Sequence, residues 1–137
     1  MIQDRAITRS AYNVLVLAKR DAEIYRNPYI TPEHVLFQME NLGLLKNNLI
    51  AHGKSPIFFR ERLGLFLSML TSVDQATAYS VKYSSALDKV LHDAIALAEN
   101  DRKPLGIGHL LFSMAGINNS LAAYLVMKNF EIIRDIN

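Results

Sequence analysis

Ile30-Thr31-Pro32-Glu33-His34-Val35-Leu36-Phe37-Gln38-Met39 is answered later in the chain by Leu105-Gly106-Ile107-Gly108-His109-Leu110-Leu111-Phe112-Ser113-Met114. The two histidines stand 75 positions apart, and everything after them keeps that register. Upstream the register is 76 positions: Ala18 and Ala22 align with Ala94 and Ala98, Val14-Leu15 with Val90-Leu91, and Thr8 with Ser84. The second loop is therefore one residue shorter. Self-similarity over such a distance is the signature of a duplicated supersecondary unit. One copy could not bury its apolar face alone, so the pattern predicts two copies packed about a pseudo-twofold axis.

Both copies carry the helical period. Ile7, Ala11, Val14, Leu15, Ala18, Ala22 and Tyr25 form one stripe on a long first helix, and Leu87, Val90, Leu91, Ala94 and Ala98 repeat it. Alanines on the inner face let a second helix approach closely. Asn27-Pro28-Tyr29 ends the first helix, because the residue before proline disfavours the helical region. Thr31 suits an N-cap, Pro32 the first helical position, and Glu33 the positive end of the dipole. The helix so started buries Val35, Leu36 and Met39. A third helix is predicted from about Leu44 to His52, stopped by Gly53. A fourth begins near Ser55-Pro56 and carries Phe58, Phe59, Leu63, Phe66, Leu67 and Leu70. The second half repeats helices over Ser84–Asn100, Gly106–Ala115 and about Ser120–Lys128, with a short tail from Phe130 to Asn137. Strands have almost no support, since β-branched residues are scattered and no hairpin dipeptide separates alternating runs. The expected fold is all-α: about eight helices in two pseudo-symmetric four-helix repeats.

The chain has 137 residues, half of them hydrophobic and a fifth charged, which predicts one domain, 1–137, with a real core. Repeat one spans about 5–70, a polar linker about 71–82, and repeat two about 83–137. A net charge of +2 is too small to argue for nucleic acid or membrane. A pI near 8.9 keeps a nucleic-acid-binding helical protein as a third reading, opposed by the lack of clustered basic residues on one helix. No cysteine is present, which removes disulfides and thiolate chemistry and fits a reducing compartment. The first five residues carry an early acid and no apolar run, unlike a signal peptide, and the longest apolar runs are far short of a membrane span. A cytoplasmic protein with no membrane partner is expected.

Tyr29-Ile30-Thr31-Pro32-Glu33-His34-Val35-Leu36 resembles the aromatic/apolar–Thr–x–Glu–His–Leu–Leu motif of the Clp repeat domain, the N-terminal domain of Clp-family AAA+ protein unfoldases. Thr8 and Ser84 opening each repeat, the paired alanines, and Ser120-Leu121-Ala122-Ala123-Tyr124-Leu125-Val126 support the resemblance, the last being closest to the ClpA branch. It covers roughly residues 5 to 137. The resemblance implies a binding domain set flexibly on a hexameric ATPase ring, receiving substrates or adaptors. In the ClpA branch the adaptor is ClpS. In the ClpC branch the motif's Glu helps bind phosphorylated arginine. Glu33 matches that position, but Gly108 stands there in the second repeat, so a paired phosphoarginine site is not implied.

Other motifs weigh less. Gly53-Lys54-Ser55 imitates the end of a phosphate-binding loop, but Asn48 stands where the first glycine belongs and a helical run precedes it. It reads as a helix stop followed by a helix start. His34, His52, His92 and His109 include no close ligand pair, so no metal and no cofactor is expected. The two motif histidines read as hydrogen-bonding groups in the first turns of equivalent helices. Phe58 and Phe59 are adjacent, so one of them should face outward. Glu33 reads either as a dipole-complementing acid or as an exposed carboxylate for a partner's cationic or amide group. With Thr8, Ser84 and the basic loop residues Arg26, Arg102 and Lys103, it makes up the candidate partner-binding set.

No catalytic constellation can be assembled, so an enzyme is not expected. The leading expectation is a protein-binding module of a Clp unfoldase that docks a ClpS-type adaptor or unfolded substrates. The alternative is a stand-alone Clp-repeat regulator that sequesters an adaptor or another partner.

Overall fold

The computed structural model describes residues 6–129. The readings for residues 1–5 and for the tail, residues 130–137, fall outside that range. Seven α-helices lie among the described residues: α1 (Arg9–Ile24), α2 (Pro32–Asn41), α3 (Lys46–Ala51), α4 (Pro56–Ser68), α5 (Ser85–Asp101), α6 (Ile107–Met114) and α7 (Leu121–Lys128).

The sequence signals act where the chain places them. Thr8 and Ser84 cap α1 and α5, their hydroxyls accepting from the amides of Ala11 at 3.2 Å and Leu87 at 3.0 Å. Each N-cap satisfies one otherwise orphaned donor of the first turn. Ala11, Val14, Ala18 and Ala22 form the buried stripe of α1. Tyr25, expected to extend that stripe, is 67% exposed. It sits at the C-cap, where the chain leaves the helical path and the inner face no longer points at the core.

The duplication reaches into the main chain. Arg26 and Arg102 occupy equivalent positions in left-handed conformation, with φ of 54° and 57°. Each is followed by the same six-to-one closure, Asn27 N–H to Ala22 O at 2.8 Å and Lys103 N–H to Ala98 O at 3.0 Å. A non-glycine residue there costs on the order of 1–2 kcal/mol. Both copies accept it because the closure satisfies the last carbonyls of the helix.

Two strands were not expected: β1 (Tyr29–Ile30) and β2 (Lys82–Tyr83) pair in parallel, Ile30 opposite Tyr83. Two residues are too few for an alternation pattern to register in a sequence. Their counterpart is the parallel bridge between Ile7 and Leu105. The amide of Ser84 bonds Ile30 O, and the amide of Thr8 bonds Leu105 O, both at 2.9 Å. The entry to each copy's first helix is thus tied to the entry of the other copy's second helix. That reciprocity is the pseudo-twofold axis written in hydrogen bonds.

Within the repeats α2 packs on α1 and α4, and α6 packs on α5; α7 packs on α6 and also reaches across to α2 and α4. Leu36, Met39, Leu110, Leu111 and Met114 fill the centre. The third helix is shorter than expected, and its N-cap, Leu45, offers no side-chain hydrogen bond. Gly53, at φ 73°, stops it. Ser55 then caps α4 through the amide of Phe58 at 3.3 Å. Gly53-Lys54-Ser55 is therefore a stop and a start between helices, with α3 and not a strand directly before it. No helix among the described residues is long and apolar enough to cross a membrane.

Candidate protein-docking surfaces

The histidines of the repeated motif do the same structural work. His34 Nδ1 accepts from the amide of Thr31 at 2.9 Å, and His109 Nδ1 accepts from that of Gly106 at 3.0 Å. A ring nitrogen that accepts from an amide carries no proton, so Nε2 carries it and donates. Its acceptors are Asn27 Oδ1 at 3.0 Å in the first copy and Asp101 Oδ2 at 3.0 Å in the second. Thr31 Oγ1 in turn accepts from His34 N–H at 3.3 Å, a reciprocal capping box with histidine in the place of glutamate. Gly106 has no side chain and supplies no such return.

Burial holds the His34 pKa below its ordinary value, partly opposed by the carboxylates of Asp21 and Glu33. The folded protein therefore keeps the ring neutral, while the unfolded chain protonates it near about 6.5. Below that pH the unfolded state binds more protons. The contribution of His34 is thus complete above it and lost as pH falls toward the depressed folded value. The urea stability advantage of the wild type over His34→Gln should shrink from about pH 7.5 to about pH 5.5. A constant difference across that window would assign the acid sensitivity to other groups.

Glu33 is not the solvent-facing carboxylate that one sequence reading allowed. It is 4% exposed, and Oε2 accepts from Ser120 Oγ at 2.7 Å and from the amide of Ala122 at 2.9 Å. An acid in the first turn of α2 thus caps a different helix, α7, in the other repeat. Ser120 Oγ also accepts from Ala123 N–H at 3.3 Å, so carboxylate and hydroxyl share the start of α7. At the symmetry-related place Gly108 of the second copy stands where Glu33 would be and α3 of the first copy where α7 would be, and α3 begins without a side-chain cap.

Arg26 is likewise turned inward. Its guanidinium donates to the carbonyls of Val73 at 3.1 Å, Asp74 at 2.9 Å and Thr77, and lies 4.9 Å from the centre of the Tyr79 ring. Tyr79 Oη donates to Asn27 O and Ser72 Oγ to Tyr25 O, at 3.1 and 2.9 Å. The linker between the halves is strapped to the end of α1 by the Arg26 side chain together with these bonds. Arg26→Ala should lower the free energy of local opening by about 1 kcal/mol, roughly fivefold faster amide exchange at Val73. Unchanged exchange there would mean that the neighbouring bonds hold the linker without it.

Thr8 and Ser84 are partly exposed caps, whereas Arg102 and Lys103 are exposed. The crossed strand pairing sets Thr8 beside Gly106, whose Cβ position would lie 3.6 Å from Thr8 Cγ2, and Ser84 beside Ile30. Of the six candidate residues, Thr8 and Ser84 cap α1 and α5, Glu33 lies in the first turn of α2, Arg26 is in the linker strap, and Arg102 and Lys103 are in the second loop.

A groove that the sequence reading did not isolate lies between α4 and α7. It has a volume of about 370 Å³. Leu49, Phe59 and Leu125 form its buried floor. Of the adjacent phenylalanines, Phe59 is 3% exposed and Phe58 56%, so Phe58 stands on the rim, facing Tyr124 at 50%. Arg62 stacks over Phe58 at 5.6 Å and Lys128 over Tyr124 at 5.7 Å. Each pair is an aromatic followed four residues later by a cation on one helix, a spacing legible in the sequence. That both pairs face the same groove is a tertiary fact.

The Clp repeat (R) N-terminal domain family matches residues 6–129. No curated protein matches the chain. Among solved structures, the Hsp104 N-terminal domain from Candida albicans superposes with a TM-score of 0.78 at 16% identity, over 93% of this chain and 86% of that one. The N-terminal domain of the ClpV1 ATPase from E. coli EAEC gives 0.73 at 15% identity, over 90% and 77%. A ClpV N-domain in complex with a VipB peptide gives 0.68 at 15% identity, over 100% and 86%. These likenesses show the fold, and the family match over the whole described range shows that the chain belongs to the Clp repeat N-terminal domain family.

Proposed function

We propose that this chain is a non-catalytic protein-binding module that works with a Clp-type ATP-dependent unfoldase. It receives an adaptor of the ClpS type or unfolded substrate proteins and delivers them to the ATPase ring in the cytoplasm. The family match across residues 6–129 carries this reading. The ClpV N-domain solved with a VipB peptide is a relative in fold that holds a peptide. Exposed apolar side chains add support: Ile57, Phe58, Leu65, Tyr124 and Met127 stand in solvent on two neighbouring helices, and apolar exposure of that kind marks interaction surfaces.

Of the residues singled out from the sequence, Thr8, Ser84, Arg102 and Lys103 can meet a partner, whereas Glu33 and Arg26 act within the fold. The test is a titration of the domain into a labelled ClpS-type adaptor and, separately, a labelled unfolded protein, followed by fluorescence anisotropy. Saturable binding of either is the expected result. The reading fails if neither binds.

A further inference from the structure

The groove between α4 and α7 is lined by charge of one sign only. Three cations line it, Lys54, Arg62 and Lys128, and no aspartate or glutamate does; Glu61, next to Arg62 in the chain, is not among the lining residues. Among the described residues none of the three cations has a carboxylate partner. Arg60, one position before Glu61, points the other way and pairs with the buried Glu40 at 2.7 Å. Among the described residues the positive charge at the groove therefore has no carboxylate partner, while Arg60 on the other side of α4 is paired internally with Glu40.

The apolar component is equally specific. The floor is aliphatic and aromatic, and the rim carries two half-exposed rings, each already under a cation. Unpaired cations over aromatic faces favour a ligand that brings carboxylates to the rim and an apolar side chain to the floor. A nucleic acid would also meet the charge, but a volume of about 370 Å³ floored by Leu49, Phe59 and Leu125 suits one buried side chain better than a backbone of phosphates. A basic or neutral segment would leave the three cations unsatisfied.

We propose that this groove is the docking site for an acidic peptide segment of a partner protein, anchored by one aromatic or large aliphatic side chain. This rests on the reading of the chain as a protein-binding module and names the surface and the partner chemistry for it. Phe58 and Tyr124 bracket the anchor, and Arg62, Lys128 and Lys54 receive the carboxylates. Electrostatics of this kind acts on the rate of encounter and on the choice of partner, and salt weakens it.

The test uses the 137-residue protein and a labelled peptide of about a dozen residues, rich in Asp and Glu, with a single central Phe. Its control replaces every acid by Lys. The acidic peptide should bind at least about tenfold more tightly than the lysine peptide, and less tightly as salt rises from about 0.05 M to about 0.5 M. Arg62→Glu combined with Lys128→Glu should weaken binding about tenfold or more. Phe58→Ala should weaken it several-fold while leaving the far-UV CD spectrum and urea midpoint unchanged, because Phe58 is on the surface.

Equal binding of the two peptides, no binding of the acidic one, or indifference to the charge reversals would overturn the proposal. So would a dimer that is lost in Phe58→Ala, which would make the groove an interface between copies. So would a more than tenfold gain in peptide affinity on deleting residues 130–137, which would name the chain's own end as the occupant. The adaptor and unfolded-protein titrations are run on the same variants. If those ligands bind the wild type and the charge-reversed protein alike, the groove assignment falls and the module reading stands; if they bind neither, both fall.

Discussion

Glu33→Ala should lower the unfolding free energy by about 3–4 kcal/mol in urea denaturation. The size follows from what the carboxylate holds. Oε2 receives both the Ser120 hydroxyl and the Ala122 amide at the start of α7, with the residue 4% exposed. Truncation strands a buried donor, removes a charge-assisted cap and leaves a void, and each of these costs on the order of 1 kcal/mol or more. Domains of this size have only about 5–15 kcal/mol in total, so the loss would be visible as a large shift of the midpoint. Glu33→Gln, which keeps one acceptor but no charge, should cost less, about 1–2 kcal/mol. In both variants the amide of Ala122 should exchange fastest relative to wild type, since α7 is the element released. A loss under about 1 kcal/mol for Glu33→Ala would mean that Ser120 alone caps α7. Because this residue is structural, charge reversal at Glu33 cannot serve as a probe of partner binding: lost binding there would report lost structure.

Leu36→Ala and Leu111→Ala should each destabilise by about 3–5 kcal/mol, and by similar amounts. The two leucines occupy equivalent positions in the repeats, and both are almost fully buried. Each truncation removes the transfer free energy of the lost methyl groups and opens a cavity that packed helices cannot collapse. The comparison matters more than either value. If α6 contributed to the core less than α2 does, Leu111→Ala would cost much less than Leu36→Ala. Urea unfolding of the two proteins decides it, and a difference above about 2 kcal/mol would show that only one copy carries the core.

Much of the fold is legible before any coordinates. The alanine stripe of α1, the Thr31 cap, the proline at the first turn of α2 and the glycine stop after α3 all act within one turn or a few residues, and the in-register duplication repeats much of that pattern in a second copy. The physics of helix formation reads the chain at that range. Tyr25 departs from the pattern because periodicity does not announce where a helix ends; a left-handed arginine does that here. The strands were missed because their information is shared between residues 29–30 and 82–83 and is too short to register in either.

The candidate site was less legible. Glu33 presents the same letter whether it faces solvent or a buried amide, and its partner Ser120 lies 87 positions away. Arg26 reads as a solvated loop cation until the linker folds back over it. The aromatic–cation pairs on α4 and α7 can be found by their spacing, but nothing local says that Phe58 and Tyr124 look into one groove.

What the sequence by itself determined is therefore the repeat, the helices and the apolar face of each, since these depend on period and on neighbours along the chain. What only the tertiary structure decided is which polar groups the fold consumes and which it leaves to a partner. That choice depends on how the two copies cross, where a buried acid must find donors and an unpaired cation can remain only at the surface.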